Sequence, residues 1–401
     1  MFVTTFLFEP TASFASIFAK AKDFRCDRWR RLESNFAKHT LIIIKLFFLF
    51  FSFFLISTPV IAQEKVTLHL KWFHQFQFAG YFAALEKGYY KDVGLDVEIL
   101  ESHSGSTELN QKVISQVGNY GIGDTDLLLA RNEGAPIVVL AVIFQHSPSI
   151  LLTKRTSSTQ SIHEIVGKRV MLAPNSAEII AYLKKERIES SDYTPVEYSF
   201  NFDDLINGKV YAMNGYSTAQ TYPFKKVHFD YQAYSPRSAG IDFYGDNLFT
   251  SEMEISEHPQ RVKSFRKASL RGWQYAFNNQ EEIIDLILNK YSPKIAREQL
   301  LYEAKQMFPL IQPELVELGY MNEGRWQHIS EIYSDLGMIP KNTNLESFLY
   351  DPNPKHNLTW LYRSIFGMLG FFAIIGFFQW RRLNQNYKKN SSRRLNSEPK
   401  N

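Results

Sequence analysis

The residues with chemistry to offer sit near the ends of short apolar runs. Trp72 closes such a run, and Phe78 and Tyr81 open the segment after it, so the three could present aromatic faces to a flat ring. Packing into a core is the competing role for each of them. Asp124 and Thr125 follow the run Asn119–Gly123, where strand-end loops of open sheets collect ligands; capping of the next helix is the alternative. Asn175 and Ser176 precede an apolar-periodic stretch and offer backbone N–H groups to an anionic substituent, again against simple capping. His146 lies where the first half of the chain hands over to the second. Tyr216, Tyr244 and Asn247 lie in the second half and on the way back, placed to close over a bound ring, whereas Asp246 reads as a turn residue. Nothing suggests a metal: His69, His74 and His103 lack helical i, i+4 pairing, and Cys26 is the only cysteine, which excludes a disulfide framework and paired-thiolate zinc sites.

These residues must be positioned by alternating short strands and helices. Strands are expected at 66–72, 95–99, 119–123 and 137–143, with helices at 79–87, 106–116 and 124–131 between them. A second unit starts near Ser149, with strands at 150–153, 168–172, 196–200 and 210–213 and a helix from Ser176. After Tyr244 the pattern becomes mostly helical, at 258–277, 280–289, 295–307 and 323–336. Such alternation predicts an α/β fold with mostly parallel sheets. A first lobe (about 63–145 and 246–340), a second lobe (about 146–245) and a return is the layout of a hinged binder with its ligand between the lobes.

Both ends of the chain are more apolar than the rest. Residues 41–61 form a run preceded by Arg25, Arg28, Arg30, Arg31 and Lys38 and closed by small residues, the pattern of a secretory signal cut after Ala62; an uncleaved anchor is the alternative. The long stretch before it points to an over-extended start at Met1. Residues 358–380 are long enough to span a bilayer, with Trp360 and Trp380 as interfacial aromatics, and are joined to the body by a linker at 341–357. The tail 381–401 holds seven bases against the single acid Glu398, a net +6 that leaves −2 on everything before it. By the positive-inside rule the tail is cytoplasmic and the body periplasmic, held at the inner membrane by one C-terminal span. A slightly acidic body has no field for nucleic acid.

The stretch Leu70–Val97 (LKWFHQFQFAGYFAALEKGYYKDVGLDV) resembles the opening of the thiamine-pyrimidine-precursor binding family, which also holds thiamine pyrimidine synthases. Gly121–Asp126, Phe144–Pro148, Gly208–Ala212, Gly240–Phe249 and Gly319–Asn322 are similar in register, so the resemblance covers about 64–340. It implies a two-lobe type II periplasmic-binding-protein fold and, in the version fused to bacterial membrane sensors, a span followed by a signalling output domain. Within these 401 residues no output follows, leaving a fragment, a remnant or a stand-alone anchored binder open.

The synthases consume pyridoxal phosphate and an active-site histidine and bind iron through a cysteine-rich motif. The matching stretch 119–130 contains neither Lys nor His, and Gly240–Tyr244 contains no cysteine. Without an amine there is no local Schiff-base partner, and without soft ligands no iron site. The expectation is therefore a binder of a small heteroaromatic, needing no cofactor, that closes its lobes on a thiamine-pyrimidine-like ring using the residues named above. A tethered binding protein for an ABC permease and a pyridoxal-phosphate- and iron-dependent synthase are the alternatives.

Overall fold

The structure is a computed structural model that describes residues 63–395, apart from 102–105, 158–159, 175, 293, 342, 344 and 354–358. The expected signal segment, Asn175, His103 and the last six residues lie outside the described residues.

Two five-stranded sheets carry the fold. The first has the order β2-β1-β3-β10-β4, built from β1 (Glu64–His69), β2 (Leu95–Leu100), β3 (Asn119–Gly123), β4 (Ile137–Phe144) and β10 (Gly245–Ser251). The second has the order β7-β6-β8-β5-β9, from β5 (Ser149–Lys154), β6 (Arg169–Met171), β7 (Thr194–Val196), β8 (Ala212–Tyr216) and β9 (Tyr231–Tyr234). β4 reads IVVLAVIF and is buried throughout, the signature of a strand covered on both faces.

Each sheet is mostly parallel, with four strands running one way and a single antiparallel strand, β10 in the first and β5 in the second. β1 runs parallel to β2 and β3, but β10 is antiparallel to both β3 and β4; in the second sheet β5 is antiparallel to β8 and β9. The cause is the double crossover. β4 leaves the first sheet through Gln145–Pro148, and the chain returns through Ile241–Tyr244 to pair alongside it, so Gly245 sits opposite Phe144. β10 is thus a central strand where the sequence pattern suggested only the approach to a helical region. The expected strand at 196–200 is displaced too: β7 stops at Val196, and its Pro195 is tolerated because β7 is an edge strand.

The helix Ala79–Glu86 crosses the long helix Pro259–Asn278 at a pair of glycines. A Cβ on Gly272 would lie 2.1 Å from the Gly80 carbonyl, and one on Gly80 would lie 2.2 Å from the Trp273 ring. This close crossing seats Phe78, Tyr81, Phe82 and Trp273 in one apolar cluster and fixes the chain leaving β1. Near the C-terminal end, Leu349 bridges to Val139, so residues 348–350 cover part of the open side of β4. A helix then runs from Thr359 to Leu395, and its segment Thr359–Phe378 is apolar, exposed and long enough to cross a membrane.

Candidate functional site

Strand direction decides which side chains meet. Lys71 lies just past the C-terminal end of β1, and Asp124 just past that of β3. Because β10 runs the other way, its start, with Asp246, falls at that same edge. The second sheet turns a matching edge toward it: Tyr216 ends β8 and Ala173 follows β6, its N–H donating to the Asn214 side chain at 2.7 Å. Both crossovers lie at this junction, which is where open α/β sheets hold ligands.

The Lys71 ammonium lies 2.5 Å from the Asp124 carboxylate and 2.6 Å from that of Asp246. It also donates to the Tyr216 hydroxyl, which in turn donates to Asp124 at 2.8 Å. Gln77 donates to both Asp246 oxygens, at 3.0 and 2.8 Å. The Lys71 and Asp246 side chains are 8% and 1% exposed, so this is a buried ion cluster. Burial works against the ammonium, but the two carboxylates outweigh it and hold Lys71 above its ordinary value. Burial, reinforced by Asp124 and opposed by Lys71, pushes Asp246 up to about 6. With both acids ionised the cluster carries one net negative charge, which disfavours an anionic ligand and favours hydrogen-bond donors. Lys71, just past β1, is thus held as an ammonium between two carboxylates.

Above the cluster, Trp72 meets two aromatics of the second lobe. Its ring centroid lies 5.1 Å from Phe200 and 6.0 Å from Tyr198. Lys71, Trp72, Gln77, Asn214, Tyr216 and Gln220 line a small inner cavity of about 30 Å³. Past Trp72 and Gln220 it widens into an outer cleft of about 910 Å³ lined by Phe73, Phe200, Tyr222 and Tyr291 among others. Asp246 (φ 48°) and Phe200 (φ 59°) both hold left-handed backbone, a strained conformation for a side chain as bulky as Phe.

Of the residues singled out in the sequence, Trp72, Asp124 and Tyr216 come together here. The helix after Asp124 begins at Asp126, and Thr125 stands at its N-cap with its hydroxyl 2.8 Å from that of Tyr333. Phe78 and Tyr81 are fully buried in the first lobe, Tyr81 edge-on to Trp273. Tyr244 is buried against Trp326, and Asn247 sits within the first sheet, donating to the Gly123 carbonyl at 3.2 Å. Ser176 precedes the helix Ala177–Lys185 and turns its hydroxyl to the Ala173 carbonyl at 2.6 Å. His146 pairs with Asp242 at 2.7 Å where the two crossovers run side by side. Asp246, read as a turn residue, is instead the most buried member of the ion cluster.

Gln77, Tyr198, Phe200, Asn214 and Gln220 carried no signal that set them apart from ordinary strand and loop residues. One was available for Lys71: together with Asp124 and Asp246, it is a charge at a sheet-strand end.

A two-lobed α/β protein with a polar and aromatic cleft between facing sheet edges has the architecture of the periplasmic solute-binding proteins. A family model described as NMT1/THI5 like matches residues 75–283, more than half of the chain, and the chain belongs to that family. The riboflavin-binding protein RibY of Chloroflexus aurantiacus is 23% identical over 291 residues, 69% of this chain and 82% of that protein. The formylaminopyrimidine-binding protein of Halalkalibacterium halodurans is 22% identical, covering 57% of this chain and 71% of that protein. A 4-amino-5-hydroxymethyl-2-methylpyrimidine phosphate synthase of Legionella pneumophila is 24% identical, covering 56% and 73%. Among solved structures, the alkanesulfonate-binding protein SsuA of Xanthomonas axonopodis pv. citri superposes with a TM-score of 0.57 at 12% identity, over 72% of this chain and 99% of that one. That likeness establishes the periplasmic-binding-protein fold.

Proposed function

We propose that this protein binds a small flat heteroaromatic of the thiamine-pyrimidine type between its lobes and serves as the membrane-anchored periplasmic, sensory half of a receptor. The observation that carries this reading is the inner cavity lined by Lys71, Trp72, Gln77, Asn214 and Tyr216, with Lys71 paired to Asp124 and Asp246. The Gln77 and Asn214 amides suit the amino and ring-nitrogen edge of a pyrimidine, and Trp72 offers a stacking face. Closure is the operative step. Tyr216 belongs to the second lobe and its partners Lys71 and Asp124 to the first, so a ligand at the cluster senses the gap between lobes.

Anchoring draws on the exposed apolar segment Thr359–Phe378 and on the basic residues after it. Coupling to the anchor draws on Leu345, Phe348 and Leu349, which pack in the apolar cluster that also holds Leu151, Ile179 and Tyr182 of the second lobe. Against catalysis stands Lys71, whose proton is held by two carboxylates, and the cluster's negative charge, which suits pyridoxal phosphate poorly.

The test is thermal unfolding of the full chain in mild detergent with hydroxymethylpyrimidine, formylaminopyrimidine, thiamine, riboflavin or pyridoxal phosphate. A neutral heteroaromatic is expected to raise the midpoint in proportion to the logarithm of its concentration. Stabilisation by pyridoxal phosphate, followed by iron-dependent appearance of a pyrimidine product, overturns the reading in favour of a synthase.

A further inference from the structure

The first lobe carries a second concave surface, away from the cleft between the lobes. It is a groove of about 640 Å³. One wall is the helix Pro259–Asn278, which contributes Lys263, Arg266 and Lys267; the other is formed by Gly319–Met321 and the segment Tyr350–Asn353. Arg266 is committed to the fold, donating to the carbonyls of Leu140 (2.7 Å) and Gly319 (3.3 Å). Lys263 and Lys267 are exposed one turn apart, so their ammonium groups crown the same helix face. Against these three bases stand Glu317 on the lining and Asp351 within the segment Tyr350–Asn353, leaving the groove net positive on a body that is net negative.

What the groove faces follows from where the chain goes. Asn353 lies on its rim, and the apolar segment begins at Thr359, six residues later. Six residues reach at most about 20 Å when fully extended. If that segment spans a bilayer, the rim of the groove lies within about 20 Å of the bilayer surface. The same side of the lobe shows Leu315, 81% exposed, and Tyr320, also exposed, in the turn that leads into the groove wall. An isolated leucine so exposed, with a tyrosine beside it, suits the headgroup boundary, and Trp360 and Tyr362 open the span with the same chemistry.

We propose that this groove docks the anionic head groups of membrane phospholipids and seats the first lobe on the bilayer, leaving the second lobe to move. The inference rests on the anchored reading. Each lysine at such a surface strengthens anionic-lipid attachment about five-fold, and the attraction is screened by salt.

The test reconstitutes the full chain in nanodiscs of purely zwitterionic lipid and in discs containing anionic phospholipid, and follows amide hydrogen exchange across 263–274 and 317–321. Slower exchange is expected in the anionic discs alone, reversed by salt and lost in the Lys263→Glu/Lys267→Glu double variant. Both positions are exposed, and an unchanged melting midpoint of that variant confirms intact folding. Equal protection by glycerol phosphate added to the detergent-solubilised chain overturns the proposal in favour of a soluble-anion site. Exchange that is the same in both discs, with the chain inserted, overturns the docking surface and leaves the anchor standing. Failure of the chain to enter discs at all overturns the anchor and the docking surface together.

Discussion

The Lys71 ammonium stands 2.6 Å from the Asp246 carboxylate, tying the first strand of the first sheet to the strand that returns to that sheet from the second lobe. Removing one partner of such a pair leaves a buried charge without its counter-charge, which costs about 3–5 kcal/mol, whereas removing both costs much less. Lys71→Met is therefore expected to be strongly destabilising and Lys71→Met/Asp246→Asn milder than the single change. Urea unfolding of the two variants checks this. Additive losses would show that the pair is not coupled.

Trp72 and Phe78 lie close together in the chain but do different work. Trp72 is half-buried beside Tyr198 and Phe200, while Phe78 is fully buried. Trp72→Ala should leave stability within about 1 kcal/mol and weaken ligand binding ten-fold or more. Phe78→Ala should lose about 3–5 kcal/mol of stability. Calorimetric titration and thermal melts on the two variants separate the roles.

The Tyr216 hydroxyl is the second lobe's contact with the ion cluster, accepting from Lys71 and donating to Asp124. Tyr216→Phe removes that link while keeping the ring over the Lys71 ammonium, 4.7 Å from its centroid. A larger radius of gyration without ligand and weaker ligand binding are expected, read by small-angle scattering and titration. An unchanged radius would mean that other contacts hold the lobes together.

Stability should fall as pH rises from mildly acidic to alkaline. Burial pushes Glu178 up to about 8, with Asp124 and Asp242 adding to the rise; burial likewise pushes Glu303 up to about 7 and Asp246 to about 6. A carboxyl whose value is raised on folding favours the folded state while protonated, so its contribution is complete below about 4 and lost as pH climbs through the folded value. The melting midpoint should thus be higher at pH 5.5 than at pH 8.5. Glu303 accepts from the Phe76 N–H at 2.9 Å, a bond that glutamine can also accept, so Glu303→Gln should flatten the slope between pH 5 and pH 7 without unfolding the protein. A midpoint that rises with pH would contradict these shifts.

Much of the fold was legible along the chain. β3 occupies Asn119–Gly123 as the apolar run indicated, and the helices Pro259–Asn278 and Glu323–Asp335 follow the 3.6-residue pattern closely. β10 was hidden because its GDNLFTS string mixes four polar residues into a strand that is buried throughout. Those polar groups are tolerated by long-range partners, such as Asp246 with Lys71 and the Thr250 hydroxyl with the Asn119 carbonyl at 2.7 Å. In the site, Trp72, Asp124 and Tyr216 could be singled out by type and by place at strand ends. Phe78, Tyr81 and Tyr244 are aromatics of the same kind and lie in cores instead.

Local patterning alone thus determined the strand–helix alternation, the two apolar ends, the basic tail and, through motifs in register, the family. Those properties depend on neighbours a few residues apart, where periodicity and charge act directly. Which charges meet was decided only by the tertiary structure. Lys71, Asp124 and Asp246 converge because β10 runs antiparallel to β3, and Tyr216 joins them because the lobes face edge to edge. Strand order and direction are set by the whole core at once, so no window of sequence contains them.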